Sequence, residues 1–255
     1  MNTMNTKRQR GFTLVELAIV LVIVGLLISG ILKGQELIAN AQVNASVSKA
    51  KAIEAAVITF RDNYYYLPGD ITNPGTKLQN CTAECATSGD QNNRIGTLAT
   101  FTGTKAIGSY SEDMAAFPHL AAANLLGEVA VDVSALEFGN SAPSAPIGGG
   151  FLIGVSSGQT LAGHTATTLP QAGHYLGLVN SASAAIDDTS TVMTPAQSER
   201  FDRKMDDGAP NTGSVNAIGV VAAGATQCAT AATNAGLYAV SVAGVNCGLY
   251  IRILN

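Results

Sequence analysis

Charge is scarce in this 255-residue chain: Asp, Glu, Lys and Arg make up 13% of it, and tryptophan is absent. Hydrophobic residues account for 47%, so much of the surface must be Ser, Thr, Asn, Ala and the 27 glycines, a composition suited to an exported protein. Proline is missing from residue 12 to residue 67, so nothing in that stretch forbids one continuous helix. Cysteine is missing from the first 80 residues. The three histidines, His119, His164 and His174, have no G-x-S-x-G elbow, no H-E-x-x-H and no phosphate-cradling glycine motif near them, so no catalytic arrangement emerges.

What is present is one long apolar run. From Phe12 to Leu32 the only charge is Glu16, and a helix of that length is about 31 Å long, the thickness of a bilayer's hydrocarbon core. Lys7, Arg8 and Arg10 precede it with no acid, which places the N-terminus in the cytoplasm and the bulk of the chain across the membrane. Glu16 is the anomaly. An ionisable group costs roughly 2.5 to 3.5 kcal/mol at the middle of a membrane helix and calls for a partner, yet the segment holds no cation. Cleavage between Gly11 and Phe12 would create an α-amino group four residues before Glu16, and a neighbouring copy could present that amine to this carboxylate. A plainer role also exists, because an acid in the first turn of a helix is favoured by the dipole.

The basic leader, Gly11, Phe12, Thr13, Leu14, Glu16 and the unbroken apolar run resemble the class III signal of type IV prepilins and type II secretion pseudopilins. The resemblance covers about the first 30 residues. It implies that a prepilin peptidase cuts after Gly11 and methylates Phe12, and that Glu16 is used in filament assembly. It further implies an assembly ATPase, an inner-membrane platform protein and copies of related pilins as partners, with a first location in the bacterial inner membrane and a second in a periplasmic or extracellular filament. Many pilins of the type IVa class carry a proline late in this helix; here any local melting would centre on Gly25 or Gly30.

Past Leu32 the helix has no reason to stop. Val43, Val47, Ala50, Ile53, Val57, Phe60 and Tyr64 recur at intervals of three and four, with Asn44, Lys49, Lys51, Glu54, Arg61 and Asp62 on other faces. The expected helix runs to Tyr66, about 82 Å in all, and Leu67-Pro68-Gly69-Asp70 ends it. The expected organisation is thus a leader over 1–11, an N-terminal helix over 12–67 that spans the membrane over 12–32, and a globular head over 68–255. A second helix is expected from Ser111 to Gly127, with His119 beside its apolar stripe, and a third from Pro195 to Met205. Strand-like runs at Phe151–Val155, Tyr175–Val179, Ala217–Ala222, Leu237–Val242 and Leu249–Leu254 alternate with Gly, Asn and Ser clusters, as antiparallel hairpins require. The fold class is α+β, a long N-terminal helix packed on an antiparallel sheet.

Cys81, Cys85, Cys228 and Cys247 all follow the membrane segment, where disulfides can form, and two bridges are expected. Three connectivities are possible; Cys81 with Cys85 and Cys228 with Cys247 needs the least chain closure. Zinc is disfavoured by the absence of C-x-x-C pairs and of an adjacent histidine. No cofactor is required, and calcium has only weak candidates. Asp90 and Asn92 lie in a turn rich in Asn and Asp, but Arg94 and Phe101 fall where a helix-loop-helix calcium site needs oxygen ligands. Asp202, Asp206 and Asp207 could gather a cation, or simply end a solvated helix at Gly208.

Removing residues 1–11 takes away three of the 14 basic residues and no acid, leaving 11 against 18. That acidic body is a poor basis for nucleic-acid binding through phosphates. The expected role is structural and not enzymatic. Two rivals remain: a minor pilin whose head is an adhesin or DNA-uptake module, and a soluble exported protein cleaved after Ala41 at the Ala39-Asn40-Ala41 site. Glu16 inside the apolar run and the helical pattern continuing past Ala41 count against the latter.

Overall fold

The computed structural model describes residues 12–96, 111–131, 136–157, 171–182, 186–221, 224–232 and 235–254. The chain divides into two compact units, Met1–Ala41 and Gln42–Asn255. The first helix, α1 (Leu14–Tyr64), begins in one unit and ends in the other. Among the described residues it is the one helix long and apolar enough to cross a membrane. Over its first 25 residues the apolar side chains face outward on every side, and nothing lies within 4 Å of a Cβ built on Gly25, Gly30 or Gly34.

Beyond residue 42 the same helix becomes one-sided. Val43, Val47, Ala50, Ile53, Val57 and Phe60, spaced by three and four, are buried together with Ser46 and Ala56, while the charged positions between them stay at the surface or half-buried. This stripe enters the main core beside Phe117 and Leu120 and the strand residues Ile153, Leu176 and Ile251. Truncating a fully buried aromatic such as Phe60 in that position costs roughly 3 to 5 kcal/mol. The helix stops at Tyr64, earlier than the periodicity suggests, because Tyr65 takes a left-handed φ of 62° while its N–H still bonds Arg61 at 2.8 Å.

A four-residue turn of helix, α2 (Pro74–Lys77), and a 3-10 turn at Ala83–Ala86 follow. Then come α3 (Glu112–Ala122), which ends five residues before the expected Gly127, strands β1 (Gly150–Ser157) and β2 (Ala172–Val179), α4 (Pro195–Met205), and strands β3 (Val215–Ile218) and β4 (Gly248–Leu254). All three strand pairings are antiparallel and the sheet order is β1-β2-β4-β3. The architecture is α+β. Helix α3 lies against β1 and α4 against β3. Tyr175 of β2 and Tyr250 of β4 meet edge to face, their ring centroids 6.5 Å apart. The α4 N-terminus is fixed by a reciprocal capping box in which Thr194 accepts from Gln197 N–H and Gln197 accepts from Thr194 N–H.

Two expected strands change. The run Ala217–Ala222 is displaced: β3 starts at Val215 and ends at Ile218, where Gly219, at φ 140°, lets the backbone pass against Asn246 and Cys228. The run Leu237–Val242 is not a strand. Only Tyr238 pairs, in an isolated bridge to Ala229, after which the chain turns back with Val242 N–H on Ala239 C=O. Its alternation is real but its partners are few, because it lies inside the loop closed by Cys228 and Cys247.

The cysteines are joined Cys81 to Cys85 and Cys228 to Cys247, each pair with Cα atoms 5.2 Å apart, and no free cysteine remains. All four are buried. Closing the 19-residue separation removes roughly 3 kcal/mol of unfolded-state entropy on the chain-entropy model. Thermal unfolding in reductant is therefore expected at a lower temperature than without it, and Cys228→Ala with Cys247→Ala should reproduce most of the loss. An unchanged melting temperature in reductant would show that the bridges do not stabilise the head.

Candidate functional site

The residues that carry the N-terminal signal lie at the start of α1. Gly11 and the leader fall outside the described residues, as do Phe101 and His164. Phe12 is 83% exposed. Thr13 precedes the helix, and its side chain and that of Glu16 bond reciprocally: Glu16 Oε2 accepts from Thr13 N–H and from Thr13 Oγ1–H, each at 2.8 Å, while Glu16 N–H donates to Thr13 Oγ1 at 3.3 Å. This is a capping box, which satisfies helix N–H groups that otherwise have no partner. Thr13-x-x-Glu16 is a legible sequence signature, and reading Glu16 by its charge alone misses Thr13 as its partner. The carboxylate is thereby turned back toward the Phe12 end of the chain.

A second cluster surrounds the end of α1. Asp70, Asp90 and Glu112 bring carboxylate oxygens within 4.8 Å of one another. Asp70 accepts from the N–H groups of Asn92 (3.2 Å) and Asn93 (2.8 Å). Asp90 accepts from Asn92 N–H (3.1 Å) and from its side-chain amide (2.7 Å). Glu112 accepts from Asp90 N–H and Gly96 N–H at 3.1 and 3.2 Å. Asn92, a candidate ligand by sequence, thus serves as a donor. Desolvation, with Asp90 and Asp70 adding repulsion, pushes the Glu112 carboxyl up to about 7, so near neutrality a proton relieves the crowding. Neither Asp70 nor Glu112 was identifiable from sequence, because the three acids come from segments 20 and more residues apart.

His119 ties this region together. Its Nδ1 accepts from Gly69 N–H at 2.8 Å, which leaves Nε2–H to donate to Cys85 C=O at 2.9 Å, and its ring stacks on Phe60 with the planes 7° apart. Burial holds the imidazole neutral, with a pKa lowered to about 4. Cys81, Cys85 and His119 are near neighbours, but both sulfurs are committed to their disulfide. At the end of α4 the acids close a turn: Asp206 accepts from Ser214 N–H, Asp207 from Ala209 N–H at 2.9 Å, and Asp202 from Gly208 N–H at 3.2 Å. Gly208 sits there at φ 80°.

Asp202 is fully buried, receives the Tyr238 hydroxyl at 2.9 Å, and is pushed up to about 7, first by desolvation. Its unfolded counterpart ionises near 3.8. Between these values the folded chain holds a proton that the unfolded chain releases, so this group withdraws stability as pH rises from about 4 to about 7. His119 acts oppositely, withdrawing stability as pH falls from 6.5 to about 4. Asp202→Asn is expected to remove its component alone, making the melting temperature of the variant relative to the parent rise steadily across pH 4 to 7. A pH-independent difference would mean that Asp202 is ionised in the fold.

No curated protein and no solved structure matches the chain. The family model described as prokaryotic N-terminal methylation motif matches residues 6–32. The match spans the basic leader, the Gly11-Phe12 junction, the Thr13–Glu16 capping box and the apolar run that begins α1. The chain therefore carries, at residues 6–32, the class III prepilin signal of type IV pilins and pseudopilins.

Proposed function

We propose that this protein is a structural subunit of a type IV pilus or a type II secretion pseudopilus. The observation that carries the reading is the methylation motif at residues 6–32, set on a helix whose only charge through Leu32 is Glu16. A prepilin peptidase removes residues 1–11 and methylates Phe12, while the apolar helix holds the precursor in the inner membrane. An assembly ATPase and a membrane platform protein then move the mature chain into a helical filament, where burial among copies replaces lipid. The amine of Phe12 pairs with Glu16 of a neighbour and sets the register. The segment 68–255 is larger than a minimal pseudopilin needs, which favours a pilus. The role is structural and not catalytic.

Intact mass and N-terminal sequencing of the protein recovered from cells are expected to show a chain that starts at a methylated Phe12; a start at Gln42 would overturn the reading in favour of a soluble exported protein. The pairing is tested separately. Glu16→Gln keeps an oxygen for Thr13 N–H, so the helix cap survives, but it removes the charge. Glu16→Gln is expected to be processed normally and to be excluded from filaments as completely as Glu16→Ala. Normal filaments from cells expressing only Glu16→Gln would reduce Glu16 to a capping residue.

A further inference from the structure

The outward-facing apolar surface of α1 is longer than a membrane needs. Phe12 to Leu32 already matches the roughly 30 Å of a bilayer's hydrocarbon core. Yet Leu37 and Ile38, more than a turn farther on, are 70% and 61% exposed, and the surface through Ile38 measures about 40 Å. Those last turns stand where headgroups and water begin. Among the described residues nothing covers the helix there, and a Cβ built on Gly34 meets nothing within 4 Å.

Two charges sit inside this surface, and they neutralise each other. Lys33 Nζ donates to Glu36 Oε2 at 2.9 Å, one turn along the helix, and no other charge lies between Glu16 and Lys49. Past Leu32 the polar residues Lys33, Gln35, Glu36 and Asn40 leave Gly34, Leu37, Ile38 and Ala41 as one apolar stripe. Stepping back by sevens from Leu37 gives Gly30, Ile23 and Glu16, and from Ala41 gives Gly34, Leu27 and Val20. This is the spacing along which helices coil around one another, and it starts at the carboxylate for which the apolar run holds no cation.

We propose that in the filament the α1 helix of a second copy lies along this stripe as far as Ala41, and that Lys33 and Glu36 enter the contact as a pair neutralised within one chain. The proposal rests on the filament reading and extends it past the membrane-spanning length. A second copy is the occupant because the neighbour whose amine meets Glu16 continues along the same seam. The stretch from Leu17 to Ser48 also has no net charge with which to draw a partner of either sign. Within such packing the ion pair leaves water. Removing one partner then strands the other charge among apolar helices, whereas removing both does not. For a pair that stays in water, neither change matters much.

The test measures filaments sheared from cells that express only one variant of the full chain, relative to the cleaved, membrane-held pool of the same chain. Lys33→Gln and Glu36→Gln are each expected to be cleaved like the parent but to lower the filament fraction about tenfold or more, and the two together to return it to within about twofold of the parent. Leu37→Gln is expected to be cleaved normally and to lower the fraction as the single charge removals do. An unchanged fraction in either single charge variant would place the pair in water or at the headgroups and overturn the proposal. A loss that the double substitution fails to restore would give each side chain its partner in another molecule, overturning the pairing within one chain. A normal fraction in Leu37→Gln would end the contact at the membrane surface and overturn the stripe. A parent that forms no filaments and starts at Gln42 would remove the filament reading and this proposal together, whereas parental filaments with unaffected variants remove the proposal alone.

Discussion

Within a bilayer no water is available to backbone N–H and C=O groups, so a spanning segment must satisfy them internally. The start of α1 is long and apolar enough to meet that constraint. A helix start leaves N–H groups without intrahelical partners, and here Thr13 and Glu16 supply a side-chain solution. Once the helix has left the apolar run, only one face needs an apolar partner, and the stripe from Val43 to Phe60 supplies it for the core of the second unit.

Packing of that stripe depends on a small polar joint. Phe60 stacks on His119, and the same imidazole accepts from Gly69 and donates to Cys85. One neutral ring thus bonds the turn after α1, the disulfide loop and α3. A glycine is needed at 69 because its φ of 94° brings the backbone against the carbonyl of Glu112, where a Cβ would collide. Acidic residues gather at this joint for the same reason: the carboxylates of Asp70, Asp90 and Glu112 receive backbone N–H groups of a loop that has no regular ladder to use them.

The sequence was most informative where a period governs the structure. The helical spacing of α1 named Val43, Val47, Ala50, Ile53, Val57 and Phe60 among its buried residues but missed Ser46 and Ala56 and counted the half-buried Tyr64, and α4 begins at Pro195 and ends at Met205 as its pattern indicates. Three of the five strand-like runs lie within sheet strands, and of a fourth only Ala217 and Ile218 do. Alternation alone misplaced Leu237–Val242, because a strand also needs a long partner, and a segment confined by the Cys228–Cys247 bridge finds only Ala229. At the N-terminal site Gly11, Phe12 and Glu16 were visible as a motif, whereas Thr13 required the three-residue spacing to be read as a cap. The joint around His119 had no sequence signal, since its partners stand 50 and 34 residues away.

The cap on Glu16 bears on the assembly role proposed for it. Both bonds from Thr13 fall on one carboxylate oxygen, Oε2, and they hold the group at the N-terminal end of the helix. An acid held by two donors is less costly in an apolar surrounding than a free one, and its remaining oxygen can still meet an ammonium group. In the proposed filament, capping and pairing would be successive uses of the same carboxylate. The first fixes its rotamer within one chain, and the second would add charge neutralisation between chains with the entropy of ordering the side chain already spent.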